Sequence, residues 1–326
     1  MHLFISIAAI ISGFALLVWG ADRFVHGAAA TARNLGVSTL VIGLTIVGFG
    51  TSAPELLVSA MAALSNNSGL AVGNAIGSNI TNVGLVIGVT AIICPLVVNS
   101  TTLRREFPLL FVVMLLTLAL LLDHRLSRID GFILLGGLVL LVIWLVRLGM
   151  SSSRPEPMTR EYEHEIPKTS LPIALLWTLI GLVVLLISSR ILVYGAVNIA
   201  HMLGISDLVI GLTIVAIGTS LPELAASVMS ALKNEPDIAL GNVIGSNMFN
   251  LLGVLGIPGV ISPINIAPEV LTRDYSFMIG LTIAMFFFAY GFKKPGQINR
   301  LEGGILLGIY VAYMVVLYFS VHTQAG

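Results

Sequence analysis

The stretch Gly36 to Asn82 returns as Gly204 to Asn250, displaced by 168 residues without a gap and identical at 29 of 47 positions. Its core is GTSAPE (Gly50 to Glu55) against GTSLPE (Gly218 to Glu223), then GNAIGSN (Gly73 to Asn79) against GNVIGSN (Gly241 to Asn247). Each copy sets one glutamate, Glu55 or Glu223, inside an otherwise apolar run of membrane-crossing length. A charge at that depth costs about 2.5–3.5 kcal/mol on insertion scales. A fold that accepts this cost twice, in matching places, is expected to use both carboxylates together.

The runs that carry the motifs are typical of the chain. It is 57% hydrophobic and only 10% charged, with a mean hydropathy of +1.01, where a soluble domain carries about 25% charged residues. Apolar stretches near 20 residues recur, enough to cross a hydrocarbon core about 30 Å thick. They do not alternate as barrel strands do. The pattern predicts an all-α polytopic membrane protein with ten transmembrane helices, at about 3–21, 37–64, 70–94, 106–122, 130–148, 170–193, 205–232, 238–261, 275–292 and 302–320. The first run has neither a basic n-region nor a following A-x-A site, so it reads as a span and not as a cleaved signal. A formal net charge of zero gives no sign of a nucleic-acid partner, and the single cysteine, Cys94, excludes an intrachain disulfide and reads as a packing residue.

The repeat extends past the motifs. Arg105–Glu106 matches Arg273–Asp274, and DGFILLG (Asp130 to Gly136) resembles EGGILLG (Glu302 to Gly308) at a displacement of 172. The chain therefore divides into a first five-helix repeat (1–148), a polar linker (149–169) and a second five-helix repeat (170–326). With the N-terminus outside, the cytoplasmic loops hold twelve lysines and arginines and the outer loops only Arg125, Arg128, Arg190 and Arg273. Both termini are thus expected outside. An odd span count makes the repeats inverted, which is the usual build of secondary transporters with interrupted helices and a midplane site.

Pro54 and Pro222 lack the N–H that a helix would donate to Gly50 and Gly218, so spans two and seven should break there. Freed carbonyls at such a break can coordinate cations. Thr51 and Ser52 lie four and three residues from Glu55, close enough on a helix for their oxygens to converge, and Thr219, Ser220 and Glu223 repeat the spacing. In the third span Asn74, Ser78 and Asn82 form one polar stripe, repeated by Asn242, Ser246 and Asn250 in the eighth. These are all hard oxygen donors, with no His or Cys, and suit Ca²⁺ or Na⁺ but not zinc or copper. Small-residue repeats, single prolines and single asparagines in membrane spans commonly serve packing alone. The glutamates differ, because no Lys or Arg falls within either motif to pair with them.

The paired GTSxPE and GNxxGSNxxN motifs resemble the α-repeats of the calcium/cation antiporter superfamily, above all the prokaryotic sodium/calcium exchangers. The resemblance covers both repeats and the ten-span plan. It implies cation sites at the centre of spans two, three, seven and eight. Glu55 and Glu223 would ligate Ca²⁺ with help from Thr51 and Thr219. Sodium would add Ser52, Ser78, Ser220 and Ser246 with carbonyls near Gly48 and Ala216. Asn82 would line the centre, and Asn250 stands where some relatives carry Asp. Spans one and six would slide across the rigid core.

With two carboxylates against one Ca²⁺ or three Na⁺, exchange at the family stoichiometry would be electrogenic. The linker offers no large regulatory insert. The expectation is a carrier and not an enzyme. It works without a cofactor, with Ca²⁺, Na⁺ and the lipid bilayer as partners and no obligate protein partner, in a plasma membrane, the bacterial inner membrane by the compact build. A proton/calcium antiporter on the same fold and a passive cation channel are the competing readings.

Overall fold

A computed structural model describes residues 2–64, 68–98, 100–151, 169–203, 216–290 and 296–324. The first part of the expected seventh span (205–215) and most of the linker (152–168) lie outside the described residues. Helix α1 is His2–Leu35, followed by α2 (Thr39–Ile42), a wide π turn at Gly43–Val47, α3 (Gly48–Thr51) and α4 (Ala53–Leu64). Next come α5 (Ser68–Thr81), a π turn at Asn82–Ile87, α6 (Gly88–Ile93), α7 (Ser100–Leu121) and α8 (Arg128–Ser151). The second half runs α9 (Leu171–Met202), α10 (Ala216–Thr219), α11 (Leu221–Leu232), α12 (Pro236–Phe249), a π turn at Asn250–Val254 and α13 (Gly256–Ile261). A π turn at Val270–Tyr275 leads into α14 (Ser276–Tyr290), and α15 (Arg300–Gln324) ends the described chain.

The protein is nearly all helical, and among the described residues seven helices are long and apolar enough to cross a membrane, or eight with the bent pair 39–51 and 53–64 as one span. The expected fourth span, in α7, falls outside that set because Arg104, Arg105 and Glu106 sit in its first turns. Burial sorts the spans into two shells. The most apolar windows of 236–261 and 70–93 are 83% and 72% buried in the protein, against 22% for 128–147 and 300–320. The motif-bearing third and eighth spans thus form the centre, while the outer helices show Leu, Ile, Val and Phe to lipid.

Short contacts between loops fix which helix ends lie together. Strand β1 (Leu96–Val98) pairs antiparallel with β4 (Gly296–Ile298), and β2 (Arg125–Leu126) with β3 (Ile264–Asn265). Because β1 precedes α7 and β2 follows it, the two ladders close opposite ends of the helical core. Neither ladder was expected from sequence. Both are two-stranded and only two or three residues long. At the start of each repeat's last span, α8 after β2 and α15 after β4, the sequence also builds matching caps. Ser127 N donates to Asp130 Oδ2 at 2.8 Å, and Asn299 N donates to Glu302 Oε2 at 2.8 Å. Each is a capping box that satisfies N–H groups a helix start leaves free, which explains the DGFILLG and EGGILLG likeness.

Two boundaries differ from expectation. Helices α1 and α9 run 34 and 32 residues, well past the expected ends at 21 and 193. For α1, a span-length window stops at Asp22 because a charge raises the insertion cost, yet that charge finds a partner. Asp22 Oδ1 lies 2.7 Å from Lys233 Nζ, and the Arg23 guanidinium lies over the Trp177 and Trp19 rings at 5.1 and 5.8 Å. The helix then ends on Gly36, whose φ of +65° suits only a residue without Cβ, while Val37 N reaches back to Ala32 O at 3.0 Å.

α1 and α9 cross antiparallel along most of their length. Gly13, Gly20 and Gly27 of α1 back onto Leu192, Leu185 and Thr178, while Gly181 and Gly195 of α9 back onto Phe24 and Ile10. Small residues every seventh position on one helix receive larger side chains of the other, the interdigitation that lets membrane helices approach closely without a hydrophobic driving force.

Candidate functional site

The second span breaks where the prolines predicted. α3 and α4 meet at Ser52 with a bend of 42°, and α10 and α11 meet at Ser220, with Pro222 in the first turn of α11. Glu55 and Glu223 therefore sit in the first turns of the helices that restart after each break. Both are 1% exposed. Two asparagines buttress them. Asn74 Nδ2 donates to Glu55 O at 3.0 Å and to Ser59 Oγ at 2.9 Å. Asn242 Nδ2 donates to Glu223 O at 3.2 Å and to Ser227 Oγ at 2.9 Å. Ser59 and Ser227 were not singled out from sequence.

At the far end of the polar stripe the two copies hold each other. Asn82 Nδ2 donates to Asn247 Oδ1 at 3.1 Å, and Asn250 Nδ2 donates to Asn79 Oδ1 at 3.0 Å. Each amide is thus fixed by its nitrogen, which turns its oxygen away from the partner. Asn79 and Asn247 close the GNxIGSN motif three residues before those amides, and their repetition in both apolar spans was the available signal. The wide π turns begin at Asn82 and Asn250 themselves. Such turns are rare and gather at functional sites.

A second knot joins the repeats. Thr51 Oγ1 donates to Asn242 Oδ1 at 3.0 Å and lies 3.4 Å from Ser246 Oγ, while Ser246 Oγ donates to Gly48 O at 3.2 Å. This places Gly48, Thr51 and Ser246 on one contact, and one oxygen of the Gly48 backbone carries a hydroxyl in this arrangement. Ser78 is buried in α5. Thr219 is half-buried in α10, which Ala216 opens.

The centre is defined by what lacks a partner. Twelve buried side-chain polar atoms have no hydrogen bond among the described residues, and eight of them are Ser52 Oγ, both Glu55 oxygens, Asn82 Oδ1, Ser220 Oγ, both Glu223 oxygens and Asn250 Oδ1. The two glutamates act on each other electrostatically, and Thr51 and Ser52 face Glu223 across the repeat boundary. α4 packs on the π turn that begins at Asn250, and α11 on the π turn that begins at Asn82, so each glutamate's helix lies against the other repeat's amide-bearing turn. No trio of His, Cys, Asp and Glu gathers among the described residues. A leftover buried polar group costs about 1–3 kcal/mol, and more when charged, so a cluster of eight fits a ligand of complementary charge. Ca²⁺ takes about 6–8 oxygens, and Na⁺ suits the same hard donors.

A helical membrane protein with a buried, two-fold cluster of oxygen donors is the class that the fold and site define. The profile of the family described as sodium/calcium exchanger protein matches residues 5–147 and 173–319, and the chain belongs to that family. It is 49% identical over 312 residues to CaxA of Alkalimonas amylolytica, named provisionally as an antiporter, covering 95% of this chain and 98% of that one. It is 31% identical to the sodium/calcium exchanger MaX1 of Methanosarcina acetivorans over 345 residues, 94% of this chain and 97% of that one. A solved structure of the sodium–calcium exchanger NCX_Mj, soaked with zero Na⁺ and Ca²⁺, superposes with a TM-score of 0.82 at 35% identity, covering 97% of this chain and 99% of that one.

Proposed function

We propose that the chain is a secondary active antiporter exchanging Na⁺ for Ca²⁺ by alternating access, with electrogenic stoichiometry. The observation that carries this reading is the cluster of eight unpartnered buried oxygens supplied equally by the two motif copies. Glu55 and Glu223 ligate Ca²⁺ and balance its charge, with Thr51 and Thr219 beside them. Ser52, Ser220, Asn82 and Asn250 complete the ligand set, and Ser78, Ser246 and the Gly48 and Ala216 carbonyls serve sodium. Three Na⁺ against the same two carboxylates leave one net positive charge, so exchange moves charge across the membrane. The unit is two inverted halves (1–148 and 170–326) joined by a cytoplasmic linker (149–169), with both termini outside, in a bacterial plasma membrane. Contacts at the helix ends support that parity: Asn34 Nδ2 meets Thr169 O at 2.9 Å, and the ladders join the third with the ninth and the fourth with the eighth loop.

The competing reading is proton coupling, in which one glutamate takes a proton in place of sodium. Uptake of ⁴⁵Ca²⁺ into sealed proteoliposomes loaded with Na⁺, set at acid internal pH, or without a gradient separates the two. Uptake driven by outward Na⁺ supports the proposal, and uptake that ignores Na⁺ but follows the pH gradient overturns it. Glu55→Gln and Glu223→Gln are each expected to abolish uptake while the protein still inserts and purifies. Normal transport by either variant refutes the site.

A further inference from the structure

Pro222 leaves one backbone acceptor open in the seventh span. In an unbroken helix the N–H of residue 222 would serve Gly218 O, and proline has none. Around the break the other groups close locally: Ser220 N turns back on Ile217 O at 3.1 Å, and Leu224 N takes Ser220 O at 3.0 Å. Gly218 O is instead served from another helix, by Ser189 Oγ of α9 at 2.8 Å.

The choice is unusual for a serine in a membrane helix. A hydroxyl there ordinarily bonds the carbonyl three or four residues back, as Ser188 does to Leu185 O at 3.0 Å and Thr178 to Ala174 O at 2.8 Å. Ser189, only 5% exposed, reaches outward to the break. The approach is close, because a Cβ on Gly218 would collide with the Val193 side chain of the same helix. Among the described residues the other break has no such brace. Gly50 precedes Pro54 by the same spacing, the residue 168 before Ser189 is Ala21, and what α9 sets nearest to Gly50 is the apolar Leu182 side chain, 3.0 Å from where a Cβ would stand. One helix therefore touches both breaks, by a hydrogen bond at one and by a slippery contact at the other.

We propose that Ser189 is a positioning residue for ion exchange. Its bond to Gly218 O ties α9 to the break, and so sets where Ser220 and Glu223 stand in the site; this rests on the exchanger reading above. α9 is mated to α1 along their shared seam, so a shift of that pair relative to the core breaks the tie and releases Ser220 and Glu223 from it. The bond favours the arrangement described here over its alternative by the net worth of one buried hydrogen bond, about three- to tenfold in population. The two directions of exchange should feel its loss unequally, because the bond belongs to one arrangement only.

The test uses the full-length protein, uniformly oriented in proteoliposomes, with ⁴⁵Ca²⁺ exchange measured in both directions. Ser189→Ala should change the ratio of half-saturating Ca²⁺ on the two sides by about three- to tenfold, and Ser189→Thr, which keeps the hydroxyl, should hold the wild-type ratio. In a Pro222→Ala background the new N–H can serve Gly218 O, so adding Ser189→Ala should have a smaller effect than it has alone. An unchanged ratio, equal losses in both directions, or an undiminished effect beside Pro222→Ala overturns the proposal. Should Ser189→Ala fail to fold, Ser189→Cys, a weaker donor of similar size, gives the same readout at reduced amplitude. Glu223→Gln is the reference for the parent reading. If Glu223→Gln loses exchange while Ser189→Ala matches wild type, only the Ser189 role fails; if wild type shows no Ca²⁺ exchange, the exchanger reading fails first.

Discussion

Replacing Asn79 by alanine would disturb the site without removing any of its eight unpartnered oxygens. Asn79 Oδ1 accepts the Asn250 Nδ2 hydrogen at 3.0 Å, and that bond decides which end of the Asn250 amide points inward. Without it, Nδ2 is a buried donor with no partner, at a cost of about 1–3 kcal/mol. The amide can escape that cost by rotating its nitrogen toward the glutamates, where it presents hydrogens in place of an oxygen ligand. Cation binding must reverse the rotation, so Ca²⁺ affinity should fall by roughly 5- to 150-fold. A direct readout is Ca²⁺-dependent thermal stabilisation of the purified protein. At a concentration 100 times the wild-type Kd, the ion stabilises by about 2.7 kcal/mol, and a 30-fold weaker variant retains only about 0.9 kcal/mol. Asn247→Ala should behave alike, because Asn247 Oδ1 holds Asn82 in the same way at 3.1 Å. Asn79→Ala with wild-type half-saturation by Ca²⁺ would refute the idea that these amides are oriented to serve the ion.

Glu235, between α11 and α12, is pushed up to about 7 by burial and then by the Asp237 charge. Its penalty is absent below the usual carboxylate value near 4.5, grows as pH rises, and is complete above about 7. Glu235→Gln should therefore raise Tm at pH 8.5 and change it little at pH 4.5, with a gain of at most about 3 kcal/mol given its partial contact with water; an equal gain at both pH values refutes this. Gly181→Ala would set a methyl group against the Phe24 backbone and force α1 from α9, costing about 1–3 kcal/mol. A drop in Tm without any loss of Ca²⁺-dependent stabilisation is expected, and an unchanged Tm counts against the seam.

The helical membrane architecture, the proline breaks and the two buried glutamates were legible in the sequence because each leaves a local mark. An apolar run, a missing N–H and an unpaired charge can all be read without knowing the neighbours. The braces were not. Asn79 looks like one more small-motif asparagine until its partner 171 residues away is in place, and Ser189 looks like any serine that bonds its own helix. The overlong first helix was misjudged for the same reason, since Asp22 reads as a stop signal until Lys233 is found beside it. Pairing across the chain is a property of the fold, and single-sequence patterns record only one side of it.

The asparagine contacts also bear on how such a cavity could arise. Asn79 and Asn247 are the same motif position, as are Asn82 and Asn250, so the two bonds are one bond made twice. That is the self-complementary contact of an isologous two-fold interface. On the inverted-repeat reading proposed above, a single ancestral unit able to insert both ways round and meet its own copy would have carried every side chain needed to orient both amides. Fusion of two such units would then have kept the interface intact while freeing residues like Ser189 and Ala21 to differ.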